Sequence, residues 1–145
     1  MIIVDTAPLV AAAIANDQDH DRCVEVFNRM HRERQTLVVP CFVVAETCYM
    51  IQRSGGNRTV ALFMRSLVGG IFQQIDLDDQ DTMRAADLIE LYEDLQLDAA
   101  DAAVIALAER HNLDTVITLD YRDFRVVRPI HVAAFTLLPP QAPGT

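Results

Sequence analysis

Four acidic residues of the sequence stand at positions where a carboxylate is costly unless it has a function. Asp5 and Asp120 each end an apolar stretch (MIIVD and TVITLD), and Glu46 and Asp101 each interrupt one (CFVVAETCYMI and LDAADAAVIALAE). A charge in a dry interior must be paired, neutralised or bound to a metal ion. Because four such positions occur in a chain of 145 residues, we expect them to form one shared site.

The chemistry that suits such a site is metal-assisted hydrolysis. Carboxylates placed close together raise one another's pKa, and a divalent cation relieves that conflict. Mg²⁺, with Mn²⁺ as an alternative ion, prefers carboxylate oxygen and water as ligands. Such ions support the attack of water on a phosphodiester and stabilise the leaving oxygen. Whether the site holds one ion or two stays open at this point.

Polar residues next to these acids are auxiliary candidates. Thr6 and Thr118 lie beside the acids that end the two apolar stretches, and either hydroxyl could hold a metal-bound water or a phosphate oxygen. A helix cap or a strand-forming threonine is an equal alternative, and Thr6 is suited to cap the helix that follows it. Asp98 lies three residues before Asp101, on the same helix face, and is the better helix cap of the two.

Strands and helices alternate along the chain, which predicts an α/β fold with a largely parallel sheet between two layers of helices. The predicted strands are residues 2–4, 37–39, 72–77, 116–119 and 135–138. The predicted helices are residues 9–15, 21–34, 42–53, 58–68 and 99–111, and one more that Asp78 caps with Asp81. In open parallel sheets a site forms beyond the carboxyl ends of the strands, so Asp5, Asp120 and Glu46 should meet there.

The bulk composition describes one globular domain. Hydrophobic residues make up 51% of the chain and charged residues 23%, which is ordinary for a domain that buries a core. The longest apolar runs are shorter than the roughly 20 residues of a membrane-spanning helix. The start MIIVD lacks the basic region of a signal peptide. The three cysteines form no CxxC pair, which is typical of a protein in a reducing compartment. We therefore expect a cytoplasmic protein without a membrane partner.

All twelve basic residues are arginine, and the chain has no lysine. This excludes a phosphate-binding GK[ST] loop and a Schiff-base lysine. The net charge of −9 argues against an extended basic surface for nucleic acid. Phosphate contact would then depend on local arginines, and the group nearest to Asp120 in the sequence is Arg122, Arg125 and Arg128. Solvated faces and ion pairs are the alternative role for these three side chains.

Four segments, taken in order, resemble the PIN-domain nucleases, and in particular the VapC-type toxins of bacterial toxin–antitoxin pairs. They are DTAPL at the N-terminus, VVAE in the third predicted helix, the stretch LDAADAAVIALAER, and TVITLDYRDF. The resemblance extends over nearly the whole chain. We therefore assign residues 1–139 to one PIN nuclease domain and expect residues 140–145 to form a flexible tail.

The resemblance implies a PIN-like three-layer fold and an active site built from the four acids. Asp5 and Asp101 would be the surest metal ligands, and Glu46 and Asp120 would bind the metal directly or through water. Asp98 would be an auxiliary residue. Asp123, in the matching RDF segment, would order the loop.

The resemblance also implies an activity and its partners. The activity is that of a Mg²⁺-dependent endoribonuclease with transfer RNA or ribosomal RNA as substrate. The protein would form a homodimer, and a cognate VapB-like antitoxin would bind it with its tail in the active site. A PIN-like module that binds RNA or protein without cleaving is the alternative. A haloacid-dehalogenase-type phosphatase is disfavoured because Ala7 stands where that chemistry needs a second aspartate. A DNA-directed 5′ nuclease of the same fold would need more acids and a longer chain.

Overall fold

The structure is a computed structural model that describes residues 1–144, with five strands and six α-helices. The strands are β1 (Ile2–Val4), β2 (Leu37–Pro40), β3 (Phe72–Ile75), β4 (Thr115–Ile117) and β5 (Thr136–Leu138). The helices are α1 (Thr6–Ala13), α2 (His20–Arg32), α3 (Cys41–Ser66), α4 (Asp79–Leu91), α5 (Ala99–Arg110) and α6 (Tyr121–Val126). A short 3₁₀ helix, Glu93–Leu95, connects α4 to α5. Of the expected tail at 140–145, Thr145 lies outside the described residues.

The five strands form one sheet in the order β3-β2-β1-β4-β5, and all their pairings are parallel. The predicted three-layer α/β/α fold is confirmed. Strands β2 and β3 are added in turn on one side of β1, and β4 and β5 are then added on its other side. The order therefore reverses between β1 and β4, and such a switch point is where open α/β sheets form their binding crevice.

The core lies around the two central strands and α5. Every residue of β1 and β2 is buried, as expected for strands covered by helices on both faces. Helix α5 packs against α3, α4, β1 and β2, and its residues 102–108 are all buried. Four of these seven residues are alanine, whose small side chain allows this close approach. The first turn of α5 therefore brings Asp101 to the edge of the core.

Helix α3, Cys41–Ser66, consists of two helical stretches that meet at a kink. The predicted break at residues 54–57 is confirmed, because Gly56 has the non-helical angles φ 75° and ψ 179°. A positive φ of this size favours glycine, which has no Cβ to clash with the backbone. The regular helix is therefore interrupted at Gly56.

A charged clamp joins α4 to α5 away from the candidate site. The predicted cap of α4 is confirmed: Asp78 and Asp81 form a capping box. The carboxylate of Asp81, only 3% exposed, also accepts the Nε–H of Arg110 on α5, which is shared between its two oxygens at 2.8 and 2.9 Å. None of the helices within residues 1–144 combines the length and the apolar character needed to cross a bilayer.

Candidate metal centre

Asp5 and Thr118 meet at the carboxyl ends of β1 and β4, where the order of the sheet reverses. The backbone N–H of Asp5 donates to the carbonyl oxygen of Ile117 at 2.9 Å, which extends the strand pairing by one residue. The Thr118 hydroxyl, fully buried, donates to Oδ2 of Asp5 at 2.8 Å. The same hydroxyl accepts from the backbone N–H of Asp120 at 2.9 Å. Thr118 thus links the two predicted strand-end acids.

The surroundings of Asp5 disfavour its ionised form relative to an aspartate in water. The residue is 4% exposed, and burial raises the pKa of its carboxyl to about 6. The backbone N–H of Thr6 and the hydroxyl of Thr118 lower the pKa, whereas the charges of Asp98 and Glu46 raise it further. The carboxyl of Asp5 is therefore a poorly solvated acid that gains from a nearby positive charge.

Glu46 reaches the same edge from the second turn of α3. Its Oε2 accepts a 3.0 Å hydrogen bond from the hydroxyl of Thr6. Burial raises the pKa of Glu46, the Thr6 hydroxyl opposes this rise, and the charge of Asp98 adds to it.

The prediction that Thr6 caps the next helix is wrong. Thr6 is the first residue of α1, and Asp5 occupies the N-cap position. The Thr6 hydroxyl instead donates its hydrogen bond to Glu46.

Three helices of this protein begin with the same Asp-x-x-Asp spacing, in which the first aspartate caps the helix and accepts from the backbone N–H of the second. The capping pairs are Asp78 with Asp81, Asp98 with Asp101, and Asp120 with Asp123. At α4 the carboxylate of the second aspartate, Asp81, accepts in turn from the backbone N–H of the cap, Asp78. At α5 and α6 the second carboxylates instead approach the strand-end site. One local motif thus stabilises a helix end in all three places and supplies site carboxylates in two.

Three carboxylates come close enough to share a metal ion. Among the described residues, Asp101, Asp120 and Asp123 form the one group of carboxylate oxygens within 4.8 Å of one another. Burial raises the pKa of Asp101 to about 8, and the charges of Asp5, Asp98 and Asp120 add to the rise. Burial, and then the charge of Asp120, also raises the pKa of Asp123. The cluster is therefore short of positive charge.

The geometry redistributes the roles that the sequence suggested. Asp101 and Asp120 belong to the three-membered group, as expected of ligands, but its third member is Asp123, which the sequence assigned to ordering a loop. Asp5 lies close enough to Asp101 for its charge to raise the pKa of Asp101, and Glu46 lies near Asp5 in turn. Each of the two is held by a threonine hydroxyl. The expected loop after Asp120 is in fact helix α6. The Asp-x-x-Asp spacing at 120–123 could have predicted that a helix begins after Asp120 and that Asp123 lies in its first turn.

The three arginines after Asp120 have different surroundings. The side chain of Arg122 is 79% exposed, and its Nε lies 3.9 Å from Oδ1 of Asp123. Arg125 donates to the side chain of Gln141 and lies over the ring of Tyr121. The Arg128 guanidinium donates to the carbonyl oxygen of Arg125, in the last turn of α6. Only Arg122 of these three therefore projects beside the acids without a close hydrogen bond to hold it.

Comparisons with known proteins agree with this architecture. The PIN domain family matches residues 2–128. Ribonuclease VapC26 of Mycobacterium tuberculosis is 33% identical over 138 residues, which cover 95% of this chain and 100% of that protein.

Two solved structures share the fold. The first, Mycobacterium tuberculosis VapC20, a toxin that cleaves the sarcin–ricin loop, has a TM-score of 0.73 at 16% identity, over 80% of this chain and 87% of that one. The second is a toxin–antitoxin complex from Klebsiella pneumoniae, with a TM-score of 0.64 at 16% identity, over 93% of this chain and 99% of that one. The chain therefore belongs to the PIN-domain family, as one of its VapC-type members.

Proposed function

We propose that this protein is a metal-dependent endoribonuclease that uses Mg²⁺, with Mn²⁺ as an alternative ion, and that it is the toxin of a toxin–antitoxin pair. The observation that carries the proposal is the group of three carboxylates at the switch point of the sheet, with Asp5 and Glu46 beside it. The 33% identity to a relative named a ribonuclease supports RNA as the substrate.

The donor set fits a hard divalent cation. All the candidate ligands are carboxylate oxygens, which Mg²⁺ and Mn²⁺ prefer, and the set contains no sulfur or imidazole ligand that would favour zinc. The raised pKa of Asp101 indicates a site where added positive charge is stabilising. Asp101, Asp120 and Asp123 would hold the ion, and Asp5 and Glu46 would contact it directly or through water.

The residues of the chain would then divide the work of hydrolysis. The ion, when bound, would supply positive charge that activates water and stabilises the leaving oxygen. The buried carboxylates would orient the attacking water in line with phosphorus. Thr118 would hold the carboxylate of Asp5 in place, and Thr6 would do the same for Glu46. Asp98 would act indirectly, as the cap that positions the first turn of α5.

Substitution of single carboxylates tests this function. We expect Asp5→Asn and Asp101→Asn to abolish cleavage of RNA by the purified protein while circular dichroism shows an unchanged fold. Asp87→Asn, at an exposed position of α4, is the matched control and should retain activity. Full activity in both site variants would refute the assignment. Metal binding by the wild-type protein without cleavage of any RNA would favour the alternative, a PIN-like binding module.

The biological setting follows from the same proposal. The substrate would be a structured RNA, either transfer RNA or ribosomal RNA, and mapping of new RNA ends after induced expression would identify it. A cognate VapB-like antitoxin would inhibit the enzyme, and a basic antitoxin would complement the net charge of −9. A short neighbouring reading frame that relieves toxicity on co-expression would identify that partner. The free thiols of Cys23, Cys41 and Cys48 suit the cytoplasm as the location.

We also propose that the protein is a homodimer. Helix α3 carries large apolar side chains that are exposed in the single chain, namely Phe42 (42%), Tyr49 (61%) and Met50 (40%). They occupy the same apolar stretch of α3, CFVVAETCYMI, as Glu46. A group of exposed apolar side chains is typical of a protein contact surface. Light scattering on the purified protein would measure the oligomeric state.

A further inference from the structure

A polar cavity of about 330 Å³ adjoins the three-carboxylate group on the side of α6. Asp120 belongs to both the group and the cavity wall. The other side chains of the wall that matter here are Gln18, Arg22, Tyr121, Arg122 and Gln141. Its volume is at the lower end of the roughly 300–1,000 Å³ of small-ligand pockets. The cavity thus lies directly beside the point where the scissile phosphate would bind.

Arg22 forms a rigid, positively charged part of this wall. Its Nη1 donates to Oδ1 of Asp19 at 2.8 Å, and its Nη2 donates to the hydroxyl of Tyr121 and to the carbonyl oxygen of Pro140 at 2.9 and 2.8 Å. The Tyr121 hydroxyl in turn donates to the carbonyl oxygen of Pro139 at 2.8 Å. These contacts join α2, α6 and the C-terminal segment. Arg22 therefore fixes the shape of this wall, and its charge is offset by Asp19.

Arg122 supplies a second, adaptable guanidinium on the same wall. Its side chain is 79% exposed, and its ionic contact is the 3.9 Å approach to Asp123. Exposed ion pairs of this kind contribute little free energy, so Arg122 can turn toward a ligand at small cost. The wall also carries Asp19, which offsets the charge of Arg22, and Asp120, which would face the metal ion. Arg122 is therefore the side chain of the wall that can offer its positive charge to an anionic ligand. Planar guanidinium groups suit phosphate in particular.

We infer that this cavity is a nucleotide subsite, which binds the RNA phosphate next to the scissile one through Arg122, beside the ordered Arg22. The inference rests on the proposed ribonuclease function and adds to it a direction for the RNA strand, from the carboxylates toward α6. The amide side chain of Gln18 stands at the same wall, where it can hydrogen-bond the edge of a base. Arg125 does not line the cavity, and it is engaged with Gln141 and Tyr121.

RNA binding measured without cleavage tests the subsite separately from the activity. The probe is a fluorescein-labelled single-stranded RNA of random sequence, titrated by anisotropy with the Asp101→Asn protein in the presence of Mg²⁺. Adding Arg122→Glu should weaken binding roughly tenfold and reduce the slope of log affinity against log salt by about one. The matched control is Arg65→Glu, which makes the same change in net charge at an exposed position of the last turn of α3. The chain continues from that turn to the amino end of β3, whereas the carboxylates lie at the carboxyl ends of the strands.

The possible results are distinct. Equal effects of Arg122→Glu and Arg65→Glu would overturn the subsite, because they would indicate only a general charge effect. Unchanged RNA binding together with weaker binding of a partner protein would assign the cavity to that partner and also overturn it. The subsite would also be overturned if the Asp101→Asn protein, with Arg122 intact, bound no measurable RNA. Cleavage of RNA by the wild-type protein is measured in parallel, so a failure of the proposed function is recognised independently of the subsite.

Discussion

The buried hydroxyl of Thr118 donates a 2.8 Å hydrogen bond to Oδ2 of Asp5, across 113 residues of sequence. It joins the carboxyl ends of β1 and β4, the two strands between which the order of the sheet reverses. The same oxygen accepts from the backbone N–H of Asp120, at the start of α6. One side chain therefore sets the spacing between the first strand-end acid and the carboxylate group.

Removal of this hydroxyl should affect both stability and the site. We expect Thr118→Val to destabilise the fold by about 1–3 kcal/mol, because it leaves the buried oxygen of Asp5 and the N–H of Asp120 without that partner. Metal affinity should fall as well. Thr118→Ser keeps the hydroxyl and is the matched control. Chemical denaturation and Mn²⁺ titration measure the two effects, and a Val variant as stable as the Ser variant would contradict the linking role.

Binding of a divalent ion should release protons near neutral pH. The pKa values of Asp5 and Asp101, raised to about 6 and about 8, mean that Asp101 in particular is largely protonated at pH 7 in the metal-free protein. A carboxylate must lose its proton to bind a cation. Calorimetric titration with Mn²⁺ in buffers of different ionisation enthalpy measures the number released, which we expect to be on the order of one. The same apparent enthalpy in every buffer would show that these groups are already ionised.

Stability of the metal-free protein should decrease as the pH rises. A carboxyl whose folded pKa is above its unfolded value stabilises the fold fully below the unfolded pKa and loses that contribution as the pH passes the folded one. For Asp101 this window extends from 3.8, its ordinary pKa, to about 8. We expect the melting temperature in EDTA to fall across this range. Asp101→Asn, which cannot ionise, should flatten the upper part of the curve, and an equally steep curve in that variant would refute the assignment.

The clamp between α4 and α5 should matter for stability alone. Asp81→Ala removes the shared hydrogen bond from Nε of Arg110 and the one from the backbone N–H of Asp78. We expect a loss of roughly 2–4 kcal/mol, less than a fully buried pair would lose, because the side chain of Arg110 is 36% exposed.

An exposed pair supplies the contrast to the clamp. The side chains of Arg32 and Glu25 are 60% and 65% exposed, so Glu25→Gln should cost less than about 1 kcal/mol. Urea denaturation compares the two variants, and both should bind Mn²⁺ like the wild type. A weakened metal site in Asp81→Ala would show that the clamp also positions Asp101 through α5.

Local sequence patterns were enough to predict the fold class and the part of the fold where the site lies. Short apolar strands that alternate with helices predict a parallel sheet, and an acid directly after two such strands must lie at its carboxyl edge. Asp5, Glu46, Asp101 and Asp120 could be proposed in this way because a carboxylate within an apolar stretch contradicts the local pattern. The Asp78 cap of α4 was equally predictable, since capping depends on residues only three positions apart.

Long-range packing determines which carboxylates lie close together and which groups their polar neighbours bind. Distances between Asp101, Asp120 and Asp123 depend on how the starts of α5 and α6 pack against the sheet, and no local spacing contains that information. The partners of Thr6 and Thr118 lie 40 and 113 residues away, so their hydroxyls could not be assigned from nearby residues. The cavity beside Asp120 likewise exists because α2, α6 and the C-terminal segment converge around Arg22. Such contacts join distant parts of the chain, and only packing brings them together.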